Sequence, residues 1–318
     1  MAVSLLSCTK SEEPQKGLKK FRVLLDWTPN TNHTGLFVAK EKGFFEEKGL
    51  DVEIVSADGG NTLELLATGS GDVGISFQEY VTAARAANPP IAVKAIAAIL
   101  QDNTAGYVSL KDKNINTPKD LEGKTYGGYG SDVETAFLKA LCEKGGADFS
   151  KINVKTINAL DTLTMIKKEA DFGMIFYGWE GIIAKRQGMD INYMPLKEID
   201  DGMDFYSPLF ATSDDTIANK KDELTAFLEG AQKGYEFCKE NPSEAVEILY
   251  NQNKDLDKEM LLESQKYINE HSFTADGKWG VMDTKVFDRF TKFLFDQKVI
   301  EAMPKTEDLC DTQLLTVK

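Results

Sequence analysis

The sequence is poor in the groups that metal sites and nucleophilic catalysis need. Only two histidines are present, His33 and His271, and four cysteines, Cys8, Cys142, Cys238 and Cys310, stand far apart with no CxxC pair. No metal or dithiol motif is indicated. GxSxG is missing and His33 has no evident Ser or Cys partner, so a hydrolase lacks its nucleophile. GxxxxGK[ST] and GxGxxG are missing too, which leaves nucleotide binding poorly supported. Basic residues are outnumbered, 37 Lys and Arg against 51 Asp and Glu, for a net charge of −14. That surface argues against nucleic acid, which needs basic stripes. Beyond the N-terminus no run approaches the roughly 20 apolar residues of a membrane span.

What is present begins with Leu5-Leu6-Ser7-Cys8, at the end of an apolar stretch that looks like the tail of a secretory signal. A small residue before a cysteine, followed by the polar run 9–20, reads as a lipobox and a flexible tether, with Cys8 as the lipidated residue. Outside the cytosol Cys142, Cys238 and Cys310 have the chance to pair, but an odd number argues against a complete disulfide framework.

At 318 residues the chain is too long for one ordinary core, and two lobes are expected. Strands are expected at 21–25, 50–55, 72–77, 91–100, 107–110, 152–157 and 171–177, with helices between them. This alternation indicates βαβ units and largely parallel sheets, an α/β fold. Stretch 205–212 crosses back to the first lobe, and helices at 222–240, 242–250, 258–269 and 284–294 follow. The expected division is 1–20 as signal remnant and tether, 21–104 with 208–318 as lobe 1, and 105–207 as lobe 2.

Three stretches share one form, in which a strand ends in an aromatic, polar or glycine-rich turn and a helix starts at once. They are Asp26-Trp27-Thr28-Pro29-Asn30-Thr31-Asn32, Tyr126-Gly127-Gly128-Tyr129-Gly130-Ser131 and Tyr177-Gly178-Trp179-Glu180-Gly181. Thr31, Asn32 and Thr34 are the cap candidates for the first helix, and Ser131 with Glu134 has the spacing of a capping box. A fourth turn, Ser76-Phe77-Gln78-Glu79, places two polar side chains at a helix start. In a parallel sheet such turns lie on one edge, where open α/β folds bind ligands. Trp27, Tyr126, Tyr129, Tyr177 and Trp179 are thus candidates to line one cleft, and several aromatic faces with few polar groups suit a flat, partly polar ring. Glu180 is the sharpest polar candidate, as acceptor from an exocyclic amine or protonated ring nitrogen; a helix-start acid is the plainer alternative. Gln78, Asn30 and Asn32 offer amide bonds or act as caps. Trp279, between glycines, reads as exposed or as covering the cleft, and His271 as a loop residue.

Taken together, DWTPNTNHTGLFVAKEKGFF from Asp26, GDVGISFQE from Gly71, KTYGGYGSDVE from Lys124 and FYGWEG from Phe176 resemble an ABC importer's type II solute-binding lipoprotein, in particular the bacterial relatives of the fungal thiamine-pyrimidine synthase. The resemblance covers roughly 20–300. It implies a two-lobed type II periplasmic-binding-protein fold with a two-strand hinge, monomeric and held outside the cell membrane through Cys8. It also implies a membrane permease as partner, no cofactor, and an aminopyrimidine thiamine precursor of the hydroxymethyl or formylamino type as ligand. Trp27 and Asn30 match the family's first-loop site positions, and Tyr177 with Glu180 an aromatic-plus-acid pair. The fungal enzymes' cysteine-rich iron-associated motif has no counterpart here, which favours binding without chemistry. Riboflavin and alkanesulfonate or taurine-type solutes are the other ligands such receptors serve. A pyrimidine-biosynthesis enzyme with His33 as nucleophile or metal ligand is the remaining alternative.

Overall fold

A computed structural model describes residues 17–57, 61–157 and 161–315. Cys8, most of the tether, Asp58-Gly59-Gly60 and Leu160 lie outside the described residues. Strand and helix alternate from the start: β1 (Lys19–Leu25), α1 (Thr34–Glu41), β2 (Leu50–Ser56), α2 (Thr62–Ala67), β3 (Val73–Ser76), α3 (Gln78–Ala86) and β4 (Val93–Ala98). The chain then enters a second sheet through β5 (Ala105–Leu110), β6 (Thr125–Gly128), α4 (Asp132–Gly145), β7 (Asn153–Thr156), α5 (Thr162–Lys168), β8 (Phe172–Phe176), α6 (Ile182–Arg186) and β9 (Ile191–Pro195). By way of α7 (Leu196–Ile199) it returns to the first sheet at β10 (Leu209–Ser213). Then come α8 (Asp214–Asn219), α9 (Lys221–Glu240), α10 (Pro242–Gln252), α11 (Lys258–His271), α12 (Thr284–Asp296) and α13 (Thr306–Leu309). No helix among the described residues is long and apolar enough to cross a membrane.

The two sheets repeat one topology. Their orders are β2-β1-β3-β10-β4 and β7-β6-β8-β5-β9. In each, four strands run parallel, and the strand entered on arrival from the other sheet, β10 or β5, runs against them. The carboxyl ends of β1 and β3, and of β6 and β8, therefore lie side by side, the position at which open sheets leave a crevice.

Local chemistry explains the elements. Asn61, Ser131, Asp161 and Asp257 cap α2, α4, α5 and α11 through their side chains, and Ser131 with Glu134 forms the full reciprocal box. The first helix departs from expectation. Asn30, not Thr31, Asn32 or Thr34, is the capping side chain, accepting from the Asn32 N–H at 2.9 Å and closing a single 3-10 turn that feeds α1. On α9 the residues Leu224, Phe227, Leu228, Ala231, Tyr235 and Cys238 are buried on one stripe. Phe227 stacks between Phe21 at 5.1 Å and Phe45 at 5.4 Å, joining sheet to helices.

Trp279 is neither exposed nor over the cleft. It is fully buried and stacks on Tyr235 with ring centroids 4.6 Å apart. His271 is not in a loop but ends α11 and pairs with Asp102, Nδ1 to Oδ1 at 2.7 Å. Cys142, Cys238 and Cys310 are all buried and unpaired. On α12, Phe287 packs with Tyr206 and Met282, while Phe290, Phe293 and Leu294 pack with Phe137 and Phe205 beside the second sheet.

The two crossings between the sheets are tied to one another. Asn103 Nδ2 donates to the Met203 carbonyl at 2.9 Å, and its N–H donates to Asp204 Oδ1 at 3.0 Å. Asp102 also holds Lys197 in an ion pair.

Helices α1 and α9 cross with almost no room between them: a Cβ on Gly234 would stand 2.0 Å from the Gly35 carbonyl oxygen. Since backbone cannot yield as a side-chain tip can, Gly234→Ala is expected to lose about 2 kcal/mol or more of stability, the scale of overpacking a core. Urea denaturation measures this, and an unchanged midpoint contradicts it.

Candidate ligand-binding site

A cavity of about 420 Å³ opens between the sheets. Four strand ends supply most of its wall. Asp26, Trp27, Asn30, Thr31 and Asn32 follow β1, Phe77 and Tyr80 follow β3, Tyr129 follows β6, and Gly178, Trp179 and Glu180 follow β8, whose last residue, Phe176, also contributes. The crossings add Leu100, Thr104, Ser207 and Pro208, and α11 adds Ile268. Two aromatic pairs, each with one ring from either sheet, meet across it. Trp27 and Trp179 lie edge to face at 6.1 Å, and Phe77 and Phe176 stack at 6.2 Å.

Glu180 sits in a π-helical turn, Tyr177–Gly181, that leads directly into α6. The turn is tight: a Cβ on Gly181 would stand 2.5 Å from the Tyr177 ring. The carboxylate bends back so that Oε2 accepts the Phe176 N–H at 3.1 Å. Burial lifts this carboxyl to about 7, because removing water from the charged form outweighs the backbone bonds that favour it. Asp161 raises it further. On the other side of the cavity the Asp26 carboxylate accepts from His33 at 2.7 Å.

The turn carrying Tyr129 is held by the Glu134 carboxylate. Glu134 accepts from the N–H groups of Tyr129 at 3.2 Å, Gly130 at 2.9 Å and Ser131 at 3.1 Å, and from the Tyr126 hydroxyl at 3.2 Å. A bridge also runs between the two sheets' turns. Thr31 Oγ1 meets Ser264 Oγ at 2.7 Å, and Ser264 donates to the Gly178 carbonyl.

Of the residues singled out in the sequence, the structure brings Asp26, Trp27, Asn30, Asn32, Tyr129, Trp179 and Glu180 to this cavity, and it places four others elsewhere. Tyr126 is a core residue of β6, packed on Tyr107 and Phe172. Tyr177 packs between Tyr193 at 4.8 Å and Tyr267 at 5.3 Å. Gln78 clamps a crossing, accepting from the Tyr206 N–H at 2.9 Å and donating to the Val286 carbonyl. Glu79 is off the cavity wall, its Oε2 buried without a partner among the described residues and its carboxyl pushed by burial up to about 8. His33, considered as a nucleophile or metal ligand, is fully buried with both ring nitrogens engaged, one by Asp26 and the other by the Asn30 N–H. Tyr80, Thr104, Ser207 and Ile268 were not signalled locally, because only the tertiary fold brings them to the cavity.

Paired sheets of this strand order, with the cavity at their carboxyl edges, define a two-lobed α/β fold of the periplasmic-binding-protein type. The model of the NMT1/THI5 like family matches residues 30–245, and the chain belongs to that family. It is 30% identical over 312 residues to a formylaminopyrimidine-binding protein of Halalkalibacterium halodurans, covering 96% of this chain and 93% of that one. It is 25% identical to a 4-amino-5-hydroxymethyl-2-methylpyrimidine phosphate synthase of Legionella pneumophila, covering 71% and 72% of the two chains. Among solved structures, a periplasmic aliphatic sulphonate binding protein of Escherichia coli superposes with a TM-score of 0.74 at 12% identity, covering 92% of this chain and 97% of that one. A ligand-binding component of an ABC-type import system from Staphylococcus aureus gives 0.70 at 13%, covering 93% and 97%.

The raised Glu180 carboxyl has a consequence for stability. An acid whose folded value lies above its unfolded value near 4.5 favours unfolding once ionised, so its contribution worsens as pH climbs from about 4 to 8. Glu180→Gln removes that liability. The variant is expected to gain on the wild type over this range, by up to about 3 kcal/mol, in melting curves taken across pH. A constant difference between the two contradicts the burial of this carboxyl.

Proposed function

We propose that this protein is the extracytoplasmic solute-binding component of an ABC importer and captures an aminopyrimidine of the thiamine-precursor type. The observation that carries the proposal is the half-buried Glu180 carboxyl on a cavity wall shared with Trp27, Phe77, Phe176 and Trp179, where partial burial raises it to about 7. An aminopyrimidine offers a ring nitrogen beside an exocyclic amine. A protonated Glu180 donates to that nitrogen and accepts from the amine; an ionised one accepts from a protonated ring and from the amine. In both forms the pair shares one proton and makes two bonds, with Trp27 and Trp179 available to the ring faces. The name of the Halalkalibacterium relative supports the same ligand class.

An alkanesulfonate fits less well, because among the described residues no Lys or Arg lines the cavity while Asp26 and Glu180 do. Binding without turnover is favoured over synthesis, since both nitrogens of His33 are occupied. The location outside the membrane, the permease partner and the lipid on Cys8 belong to the same reading. Closure around the ligand completes it: each aromatic pair takes a ring from either sheet, so a ligand that touches both sides stabilises the closed form.

Calorimetry with an aminopyrimidine, a flavin and an alkanesulfonate tests the assignment, and binding of only the last two contradicts it. Trp27→Ala and Glu180→Ala are each expected to weaken aminopyrimidine binding at least about tenfold, roughly 1.4 kcal/mol. Because one proton is shared, wild-type affinity falls above pH about 7, by up to about tenfold per pH step of one. Glu180→Gln presents the same donor and acceptor without titrating, so it keeps most of the affinity and flattens that slope. A slope unchanged in Glu180→Gln removes Glu180 from the recognition of the ring.

A further inference from the structure

Glu180 reaches the cavity from the turn after β8, and other polar groups reach it from other elements, among them Asp26 and Asn32 in the β1–α1 turn and Ser207 in the second crossing. Asn32 Oδ1 and Ser207 Oγ are buried and have no partner among the described residues. Buried polar groups without partners are costly, so each calls for an explanation, and both of these belong to side chains on the cavity wall.

Asp26 is held from behind. The Asn30 N–H points at His33 Nδ1, 3.3 Å away, which makes Nδ1 an acceptor and leaves the ring proton on Nε2. Nε2 then donates to Asp26 Oδ1 at 2.7 Å, while the Asn30 amide nitrogen, 3.4 Å from the same atom, is too distant to compete. His33 is fully buried, so water does not compete either. Among the described residues Asp26 Oδ2 has no hydrogen bond, and this side chain lines the cavity.

We propose that His33 is a positioning residue which fixes the Asp26 carboxylate as a ligand acceptor. Through its free Oδ2 that carboxylate reads an N–H or O–H donor on the substituent of the ring. The inference rests on the aminopyrimidine reading and deepens it, since the ligand carries donors at two separated points: its amino edge at Glu180 and its substituent at Asp26. Among the described residues no Lys or Arg reaches the wall, so a phosphate ester there meets the Asp26 carboxylate with no compensating cation and is disfavoured.

The test uses three probes in calorimetry: 4-amino-5-hydroxymethyl-2-methylpyrimidine, the same ring with methyl in place of hydroxymethyl, and the phosphate monoester of the first. Wild type is expected to bind the hydroxymethyl probe at least about tenfold more tightly than the methyl probe, and about a hundredfold more tightly than the phosphate. In His33→Leu the loss for the hydroxymethyl probe exceeds that for the methyl probe by at least about fivefold, and His33→Gln, whose amide still donates to Asp26, restores most of it. Should the leucine variant fail to fold, Asp26→Ala takes its place and is expected to erase the hydroxymethyl advantage. Equal losses for both probes in His33→Leu would make His33 merely structural, and an advantage that survives Asp26→Ala overturns the acceptor role of Asp26. Wild type that binds the methyl and hydroxymethyl probes equally also overturns this inference, while leaving the receptor role intact. Failure to bind either one removes both.

Discussion

The site depends on shielding one carboxyl, that of the half-buried Glu180, from much of the surrounding water. Glu180 accepts a backbone N–H, which by itself favours the ionised form, yet burial wins and lifts it to about 7. The shielding comes from aromatic rings, and those rings do not belong to one sheet. Trp27 and Phe77 follow strands of the first, whereas Phe176 and Trp179 belong to the second. Approach of the two sheets is therefore what creates the low-dielectric setting in which a shared proton and two short bonds outcompete hydration. In the proposed function ligand capture and closure become one event, because the rings on the cavity wall come from both sheets.

The fold holds that arrangement by cross-links at the crossings rather than by a large common core. Gln78 grips Tyr206, Asn103 grips Met203 and Asp204, and Asp102 collects Lys197 and His271. Helix α11 runs between the sheets' turns, carrying Ser264, which touches both Thr31 and Gly178, and Ile268 on the cavity wall. At its other end Asp257, Glu259 and Glu263 surround Arg186 of α6. Exposed pairs of this kind contribute little each, but three contacts between two helices fix an orientation.

Much of this was legible in the sequence, and the rest was hidden for identifiable reasons. Strand, turn and helix start in succession form a local pattern, so the turns carrying Trp27, Tyr129 and Glu180 could be read without a structure. Parity within a turn could not. Tyr126 and Tyr129 are three residues apart in the same glycine-rich run, yet Tyr126 still belongs to the strand and faces the core, whereas Tyr129 is 63% exposed at the cavity. Tyr177 and Glu180 part company because the chain passes through a π turn, whose wider spacing has no sequence signature. Trp279 misled through its flanking glycines; a loop composition surrounds a residue that is wholly core. Ser207, Thr104 and Ile268 come from crossings and a distant helix, and nothing local marks them. The half-buried edge strand β9 lacks alternation and ends in proline, so it escaped notice.

The most direct measurement is a crystal structure of the protein with a bound aminopyrimidine. The account predicts the ring between the two sheets, in contact with Trp27 and Trp179, its amino edge paired with Glu180 through two hydrogen bonds. A ring seated elsewhere, or seated there with Glu180 turned away and hydrated, would contradict it.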